Sequence, residues 1–305
     1  MKLVLYDDSS GSSNEPGILN GDRVIDIGGA VRHLQGESPQ RLMEGIIDGF
    51  EALRPDLEHL AGAGPSVALS SVRLRAPLPR PGKILCCIGN YWEHMEREPR
   101  PINMFLKSPE AIIGPGDIVV LPDFPASVFH HEAELGIVLK GPARNVGEAD
   151  CLRAIFGYTC FTDVSARDEG RRTWRVGSFI GKSFDTFCPI GPCIVTADEI
   201  TDPNGLAVKY WVNGELRHDY VTNDMEHPVP DLIAFATAVM TMNTGDLIAC
   251  GTNHEGLGPL QGGDTGEIEI QGIGRMSMAV SDPLKRTWER GIYMGPDSTA
   301  PAARA

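Results

Sequence analysis

Three acidic residues in the middle of the chain have the types and the spacing of a metal site. Glu132 and Glu134 are two residues apart in residues 129–140, a segment typical of a strand. Side chains of a strand alternate between its faces, so these two carboxylates share one face and repel each other unless a proton or a cation lies between them. Asp163, at the end of a second candidate strand, supplies a third oxygen ligand. Three such acids suit a hard divalent ion and predict a metal-assisted enzyme; a solvated strand face is the alternative.

The composition is that of a globular protein and excludes several classes of partner. The 305 residues are 42% hydrophobic and 22% charged, and the net charge of -14 argues against binding to nucleic acid or to anionic membranes. No apolar run approaches the roughly 20 residues of a transmembrane helix, and the first residues become acidic too early for a secretory signal. Seven cysteines without zinc-finger spacing indicate buried, reduced thiols. We therefore expect a cytoplasmic protein.

Patterns of hydrophobic and turn-forming residues divide the chain into parts. Residues 1–75, with short strands and a helical stretch near residues 38–60, predict a small N-terminal α+β domain. A proline-rich segment marks the expected boundary, because alternate prolines hold the backbone extended. Residues 83–283 are rich in strands separated by glycines, with a hairpin turn at Asn213-Gly214 and a helix at about residues 230–242. Residues 284–305 lose periodicity and predict a mobile tail unless it docks on a partner.

A series of short motifs occurs in a fixed order between residues 83 and 282. They are Asn90-Tyr91-Trp92-Glu93-His94, Phe105-Leu106-Lys107, Ile113-Gly114-Pro115-Gly116-Asp117, the glutamate pair, Gly157-Tyr158, Asp163-Val164-Ser165-Ala166-Arg167-Asp168, Gly181-Lys182-Ser183-Phe184-Asp185, Gly191-Pro192, Asn213-Gly214, Gly245-Asp246 and Gly251-Thr252. Together they resemble the fumarylacetoacetate hydrolase family. The resemblance implies an α+β, mostly β fold, a mixed-sheet β-roll around a Mg²⁺ or Mn²⁺ ion, in a homodimer. It also implies cleavage, decarboxylation, hydration or isomerisation of small 2-oxo or 1,3-diketo acids.

The resemblance also implies roles for individual residues. Glu132, Glu134 and Asp163 match the family's metal ligands. Lys182 matches a lysine that faces the substrate, where an ammonium group stabilises the negative charge of a developing enolate.

Further residues are candidates for binding the substrate. Arg167 has the planar guanidinium that suits a carboxylate, although an ion pair with Asp168 or Asp185 is nearly as plausible. Tyr158 and Thr252 lie in motifs that the resemblance assigns to the pocket.

His94 is the candidate general base. In hydrolytic members of the family, a glutamate three residues later pairs with this histidine, and the pair activates a water against the carbonyl. This chain has Arg97 there, and Glu98, the next candidate partner, precedes Pro99, which biases it away from helical geometry. Glu255 is an alternative acid. Without a partner, His94 would be an ordinary loop histidine.

A second departure from the family pattern lies after the arginine motif. Many members have a glutamine where this chain has Gly170. Arg171 and Arg172 then begin a basic cluster, which is either a solvated loop or a segment that closes over the site and binds a second substrate carboxylate.

The sequence thus predicts a Mg²⁺- or Mn²⁺-dependent hydrolase that cleaves a carbon–carbon bond in an acylpyruvate-like 2,4-dioxo acid, as in the catabolism of aromatic compounds. The alternative is an isomerase, hydratase or decarboxylase of a related 2-oxo acid that uses the same metal site. Isomerisation and decarboxylation need enolate stabilisation and proton transfer, whereas carbon–carbon hydrolysis also needs an activated water, which the altered region after His94 puts in doubt. A metal-binding protein without catalytic activity is a third alternative.

Overall fold

Strands dominate the secondary structure of the chain. A computed structural model describes residues 1–9, 11–34, 38–167 and 179–291. Its strands are β1 (Lys2–Asp7), β2 (Glu15–Asn20), β3 (Arg23–Asp26), β4 (Ser66–Ala68), β5 (Arg73–Arg75), β6 (Ile84–Cys87), β7 (Met104–Lys107), β8 (Ile112–Ile113), β9 (Ile118–Val120), β10 (Val128–His130), β11 (Ala133–Leu139), β12 (Ile155–Thr162), β13 (Ser165–Arg167), β14 (Cys188–Thr196), β15 (Ala207–Val212), β16 (Glu215–Val221), β17 (Leu247–Ala249), β18 (Thr265–Ile270) and β19 (Gly274–Ser281). The α-helices are α1 (Pro39–Ala63) and α2 (Val229–Val239). Short 3-10 helices occupy Arg32–Leu34, Leu69–Ser71, Pro109–Ala111, Glu148–Ala154, Ile180–Lys182, Ala197–Glu199, Pro203–Gly205, Thr222–Asp224 and His254–Gly256. The expected α+β, mostly β class is confirmed.

Two sheets pack on each other and form the framework of the site. The first has the order β4-β3-β2-β1-β14-β12-β11-β17-β6-β7, with β5 paired to β1 and β8 to β14. It is mixed, because β17 runs parallel to β6 and β14 parallel to β8, whereas the other pairs are antiparallel. The second sheet has the order β16-β15-β18-β19-β9 and packs on β11, β12 and β14. The strands β10 and β13 form a separate pair.

The N-terminal residues share a sheet and a core with the rest of the chain. Strand β1 pairs with β14, where Leu3 faces Ile194 across the ladder. On α1, Phe50 packs edge-on against Phe156 of β12, with ring centroids 5.1 Å apart. One buried cluster contains these side chains together with Ile84 and other residues of the central strands. We predicted a small N-terminal α+β domain over residues 1–75; in the structure, strand β1 of this part pairs with β14 of the main sheet.

The local signals for α1 are all present in the sequence. Ser38 accepts a hydrogen bond from the backbone N–H of Arg41 (3.2 Å), and Pro39 opens the helix, where its missing N–H costs nothing. Buried residues recur along one side of the helix at Leu42, Ile46, Phe50 and similar positions. This stripe covers the face of the sheet formed by the N-terminal strands and their neighbours.

In the part of the chain that the structure describes, no helix is long and apolar enough to cross a bilayer.

The shared core leads to a prediction about unfolding. Phe50→Ala removes a 2% exposed ring from the contact between α1 and β12, and we expect a loss of about 3–5 kcal/mol in the free energy of unfolding. Urea unfolding followed by circular dichroism should show one transition that shifts as a whole. Val239→Ala, at a position 60% exposed on α2, is the control and should stay within about 0.5 kcal/mol of the parent. A separate early transition of the N-terminal residues would contradict the shared core.

Candidate metal centre and active site

The three predicted metal ligands come together in the structure. One carboxylate oxygen from each of Glu132, Glu134 and Asp163 lies within 4.8 Å of the other two. The residues are 4%, 0% and 0% exposed, so water cannot screen their charges from one another. A buried group of three acids needs cations or protons to exist in a stable fold.

The backbone around Glu132 differs from the single strand that we expected over residues 129–140. β10 ends at His130 and β11 begins at Ala133, so Glu132 lies in the break between two strands. Within β11, Glu134 faces Phe161 of β12. The backbone N–H of Asp163 donates to the carbonyl of Glu132 (2.9 Å), which holds the break against the end of β12. The position of Glu132 is therefore not set by the alternation of side chains along a strand. The hydrogen bond between Asp163 and Glu132 holds it instead.

Three cationic side chains surround the acids. Lys182 Nζ lies 2.5 Å from Glu132 Oε2 and 2.7 Å from Asp163 Oδ2. Lys107 Nζ lies 2.7 Å from Asp163 Oδ1 and also donates to the backbone carbonyl of Lys182. Arg167 pairs with Glu132. Among the described residues, three cations thus contact Glu132 and Asp163, and none forms an ion pair with Glu134.

Lys107 is a site residue that we missed. It was part of a family motif, but no role was inferred for it. The pattern of strand β7 indicates that Lys107 is buried, because Phe105 and Lys107 lie on its buried side whereas Leu106 is exposed on the other. A lysine that shares a buried strand face with an aromatic ring needs an acidic partner, and here that partner is Asp163.

Neighbouring charges move the pKa values of these groups in opposite directions. Burial alone would raise the pKa of Glu132, but the charges of Lys182 and Arg167 outweigh it, and the pKa lies well below its ordinary value. Burial and the charges of Asp163 and Glu132 all raise the pKa of Glu134. For Lys182, burial opposes the charged form, yet Asp163 and Glu132 raise its pKa and keep the ammonium protonated.

Glu134 has a free ligand atom, which makes the donor set suitable for a metal ion. Its Oε2 accepts a hydrogen bond from the backbone N–H of Gly251 (2.7 Å). Its Oε1 is fully buried and has no hydrogen-bond partner among the described residues. An unpaired buried carboxylate oxygen is costly unless it binds a cation. Glu132, Glu134 and Asp163 would hold Mg²⁺ or Mn²⁺, which prefer oxygen ligands of this kind.

Aromatic rings shield Lys182 from solvent. It ends the turn Ile180–Lys182, which follows Phe179 in a left-handed backbone conformation (φ 48°). Phe179 stacks on Phe105 with centroids 5.2 Å apart, and Lys182 Nζ lies 5.5 Å from the centre of the Phe105 ring. The ammonium is therefore held between apolar rings and carboxylates, where its charge acts at close range.

Arg167 lies at the end of β13, on the open side of the acid group. Its guanidinium pairs with Glu132, and its Nε donates to His130 Nδ1 at 3.3 Å. We considered an ion pair with Asp168 or Asp185; Asp168 lies outside the described residues, and the acid that Arg167 contacts is Glu132.

Two predicted substrate residues have different positions. Tyr158 is 1% exposed and faces Ile137 across the ladder between β11 and β12. Since Ile137 is three residues from Glu134, it lies on the opposite face of the sheet, and Tyr158 belongs to the hydrophobic core and not to the pocket. Strand register, which the sequence pattern does not give, decides this position. Thr252 is buried next to Gly251, whose N–H binds Glu134, and so lies beside the acids.

The structure pairs His94 with Glu255. The distance between His94 Nε2 and Glu255 Oε2 is 3.5 Å, and the histidine side chain is 84% exposed. Arg97, at the position where the family has a glutamate, instead forms an ion pair with the buried Glu226. Glu98 is exposed, and the described contacts of His94 do not include it. Of the two candidate partners, the structure favours Glu255.

A second histidine–glutamate contact was not predicted. His254 Nδ1 lies 2.5 Å from Glu93 Oε1. The two residues are 161 positions apart, and no local pattern links them. Arg171, Arg172 and Gly170, from which we inferred a basic lid and an altered pocket, lie outside the described residues.

A known protein family matches the part of the chain that contains the acid group and its cations. The sequence model of the fumarylacetoacetate (FAA) hydrolase C-terminal family matches residues 83–281. The chain belongs to the fumarylacetoacetate hydrolase family.

Relatives in this family catalyse more than one kind of reaction. Oxaloacetate tautomerase fahd2 (mitochondrial) from Xenopus laevis is 33% identical over 297 residues, which cover 93% of this chain and 90% of the relative. Maleylpyruvate hydrolase from Aquipseudomonas alcaligenes is 32% identical over 286 residues, which cover 88% of this chain and 97% of the relative. The crystal structure of maleylpyruvate hydrolase from Sphingobium sp. SYK-6 in complex with manganese(II) ion and pyruvate has a TM-score of 0.81 at 36% identity and covers 92% of this chain and 99% of that one.

The segment after β19 docks near the site, although we expected a mobile tail from residue 284. Trp288 packs edge-on against Phe129 (5.7 Å between centroids), and its Nε1–H donates to the carbonyl of Ser127 (2.5 Å). Ser127 Oγ in turn donates to the carbonyl of Arg167 (2.9 Å). Arg290 forms two hydrogen bonds with the carboxylate of Asp264. Residues 292–305 lie outside the described residues.

The unpaired oxygen of Glu134 predicts opposite effects with and without metal. Because the pKa of Glu134 is raised, its folded state gains stability when protonated at low pH and loses it as the pH rises through the folded pKa. Glu134→Gln cannot ionise, so the metal-free variant should melt at a higher temperature than the parent, and the difference should grow as the pH is raised. Stabilisation by Mn²⁺, about 2.7 kcal/mol for the parent at 100 times its Kd, should be lost. The exposed Glu51→Gln is the control. A variant that still gains stability from Mn²⁺ would exclude Glu134 as a ligand.

The contact between the docked segment and Ser127 predicts an effect on anion binding. Trp288→Phe keeps a ring against Phe129 but removes the N–H donor, so the strand that carries Arg167 is held less firmly. Loss of one hydrogen bond worth about 1 kcal/mol should weaken pyruvate binding to the Mn²⁺-loaded protein about fivefold, measured by calorimetry. Trp211→Phe, on the second sheet, is the matched control. Equal affinities in the parent and both variants would contradict this role.

Proposed function

We propose that the chain is a Mg²⁺- or Mn²⁺-dependent hydrolase that cleaves the C3–C4 bond of an acylpyruvate-like 2,4-dioxo acid, as in the catabolism of aromatic compounds. The observation that carries the proposal is the contact between His94 and Glu255 in a protein that also holds the acid group and Lys182. Carbon–carbon hydrolysis needs an activated water, and the sequence left the acid partner of His94 open. A histidine with a carboxylate beside it can take a proton from that water.

The buried acids and Lys182 serve the 2-oxo acid end of the substrate. Glu132, Glu134 and Asp163 would hold a divalent ion, which would supply Lewis acidity towards the 2-oxo carboxylate end of the substrate. Lys182 remains protonated because two carboxylates contact it, and its N–H groups donate to oxygen as negative charge develops there. Lys107 fixes one oxygen of Asp163, so this acid has a constant orientation.

The outer part of the pocket handles the remainder of the substrate. Arg167 presents a half-buried guanidinium that can move from Glu132 to a substrate carboxylate, and Thr252 offers a hydroxyl beside Glu134. His94 takes a proton from water, which attacks the C4 carbonyl, and Glu255 stabilises the resulting imidazolium. Cleavage of the C3–C4 bond then leaves the enolate of pyruvate and a second acid.

Similarity supports a substrate with a second carboxylate. This chain covers nearly the whole length of two relatives named maleylpyruvate hydrolase. One of them is described in complex with manganese and pyruvate. Three cations lie at the group of three acids, in contact with Glu132 and Asp163, so a bound divalent ion would leave an excess of positive charge that favours a dianion.

A second candidate function is tautomerisation or isomerisation of a 2-oxo diacid with the same metal site; hydration or decarboxylation is a further variant. Two observations favour it. His94 is 84% exposed and lies 3.5 Å from its acid, a loose pair for water activation. A relative that covers 93% of this chain is named oxaloacetate tautomerase. Under either proposal we expect a cytoplasmic homodimer.

Turnover of a small panel of oxo acids tests the reaction. The purified protein with added Mn²⁺ or Mg²⁺ would be given acylpyruvates with and without a terminal carboxylate, oxaloacetate, and unsaturated 2-oxo diacids, and the products would be identified by mass. Pyruvate plus a second acid is the expected result. An enol, an isomer, a hydrate or carbon dioxide would support the second candidate instead. If the protein binds metal but converts none of these acids, the result would support a metal-binding protein without catalytic activity. Glu132→Ala is the inactive reference.

The partner of His94 can be tested with two matched variants. Glu255→Gln removes the acid that contacts His94, and we expect hydrolysis to slow by about 100-fold with little change in the KM. Glu98→Gln, an exposed glutamate on the same segment, should keep most of the activity. The reverse order of the two effects would show that Glu98 moves to His94 during turnover.

A further inference from the structure

The loops that carry the two histidine–glutamate contacts interlock. The side chain of Asn90 donates to the carbonyl of Cys250 (3.0 Å), and the backbone N–H of Glu93 donates to Asp224 Oδ2 (3.2 Å). Asn253 donates to the same carboxylate oxygen (3.1 Å) and also accepts from the N–H of Glu255 (2.9 Å). Residues 90–94 and residues 250–255 are therefore fixed against each other by hydrogen bonds that do not involve the histidines.

Glu93 holds His254 in one orientation. Its Oε1 accepts from the backbone N–H of His254 (3.0 Å) and contacts the ring Nδ1 (2.5 Å). A carboxylate can only accept here, so the proton of the neutral imidazole is on Nδ1, and Nε2 keeps a lone pair. Burial would raise the pKa of Glu93, but the hydrogen bond and charge of His254 lower it below its ordinary value. Among the described residues, no side chain forms a hydrogen bond with Nε2.

His254 is better placed for acid–base chemistry near the metal ligands than His94. The side chains of Glu93 and His254 are 10% and 24% exposed, whereas those of His94 and Glu255 are 84% and 52% exposed. Gly251, three residues before His254, donates its backbone N–H to Glu134 Oε2 (2.7 Å), so the loop that carries the imidazole lies beside the acid group. One contact is thus short and largely buried, and the other is longer and open to solvent.

The backbone is strained where the two contacts diverge. Glu93 and His94 both have left-handed backbone angles (φ 53° and 57°), which cost a non-glycine residue on the order of 1–2 kcal/mol each. Two such residues in succession turn Glu93 towards His254 and His94 towards Glu255. Such strain persists where surrounding contacts enforce it, and here the hydrogen bonds to Asp224 do so.

We propose that His254, oriented by Glu93, is the residue that moves the proton at C3 of the substrate. The inference rests on the proposed metal-dependent oxo-acid chemistry but holds for both candidate reactions. In enolisation, the Nε2 lone pair takes a proton from C3, the electrons of the C–H bond form the C2–C3 double bond, and the C2 oxygen gains the negative charge. After hydrolytic cleavage, His254 that has taken a proton from solvent on Nε2 gives this proton to C3 of the pyruvate enolate, while His94 releases the proton of the water to solvent. In this proposal, His94 activates the water, and His254 transfers the proton at C3.

Exchange of the methyl protons of pyruvate tests this role without any cleavage. The full-length protein would be loaded with Mg²⁺ in D₂O, and the loss of the pyruvate methyl signal would be followed by proton NMR. We expect His254→Gln to slow exchange by on the order of 100-fold or more. Glu93→Gln should slow it about tenfold, since it leaves the base present but less well oriented. His59→Gln, an exposed histidine on α1, is the control.

Two further measurements separate catalysis from folding. The affinities for Mn²⁺ and for pyruvate, measured by calorimetry, should be unchanged in His254→Gln, and added imidazole should restore exchange to His254→Ala. Exchange in His254→Gln within about threefold of the parent would overturn the proposal. So would a parallel loss of Mn²⁺ and pyruvate binding that imidazole does not restore, or a parent protein that hydrolyses an acylpyruvate without exchanging pyruvate. A parent that exchanges pyruvate but cleaves no acylpyruvate would keep the role of His254 and reject the hydrolase proposal.

Discussion

Mutual repulsion of three buried carboxylates is the constraint on which the rest of the site depends. Glu132, Glu134 and Asp163 are packed within 4.8 Å of one another at the end of the central strands, where water cannot separate their charges. The fold compensates with Lys107, Lys182 and Arg167, which arrive from three different parts of the chain. One oxygen of Glu134 still has no partner. A site balanced in this way has a position ready for a divalent cation and cannot be packed with apolar side chains instead.

The compensation also connects the metal centre with the substrate pocket. Lys182 and Arg167 contact the acids in the protein described here, yet they are the groups best suited to a substrate oxygen or carboxylate. A divalent ion would take over part of their role as counter-charges and leave their N–H groups available. The docked segment around Trp288 adds support from outside, because it fixes the strand that carries Arg167.

Acid–base groups are separated from the metal ligands by chain position as well as by chemistry. The acids and their cations come from β7, β11, β13 and the turns beside them, whereas both histidine–glutamate contacts come from two loops that interlock at Asp224. Changes in those loops can alter the reaction without disturbing the metal. The family relatives include proteins named as hydrolases and as tautomerases.

The sequence by itself determined the fold class, the hairpin at Asn213, the two helices and the acid group, because each rests on local pattern or on an ordered set of motifs. Long-range contacts were decided only by the tertiary structure. Strand register placed Tyr158 in the core, and pairing of β1 with β14 merged the N-terminal residues with the main sheet. Loop packing chose Glu255 over Glu98 for His94 and joined Glu93 to His254 across 161 positions. Such choices depend on which backbone segments become neighbours after folding, and no local spacing encodes them.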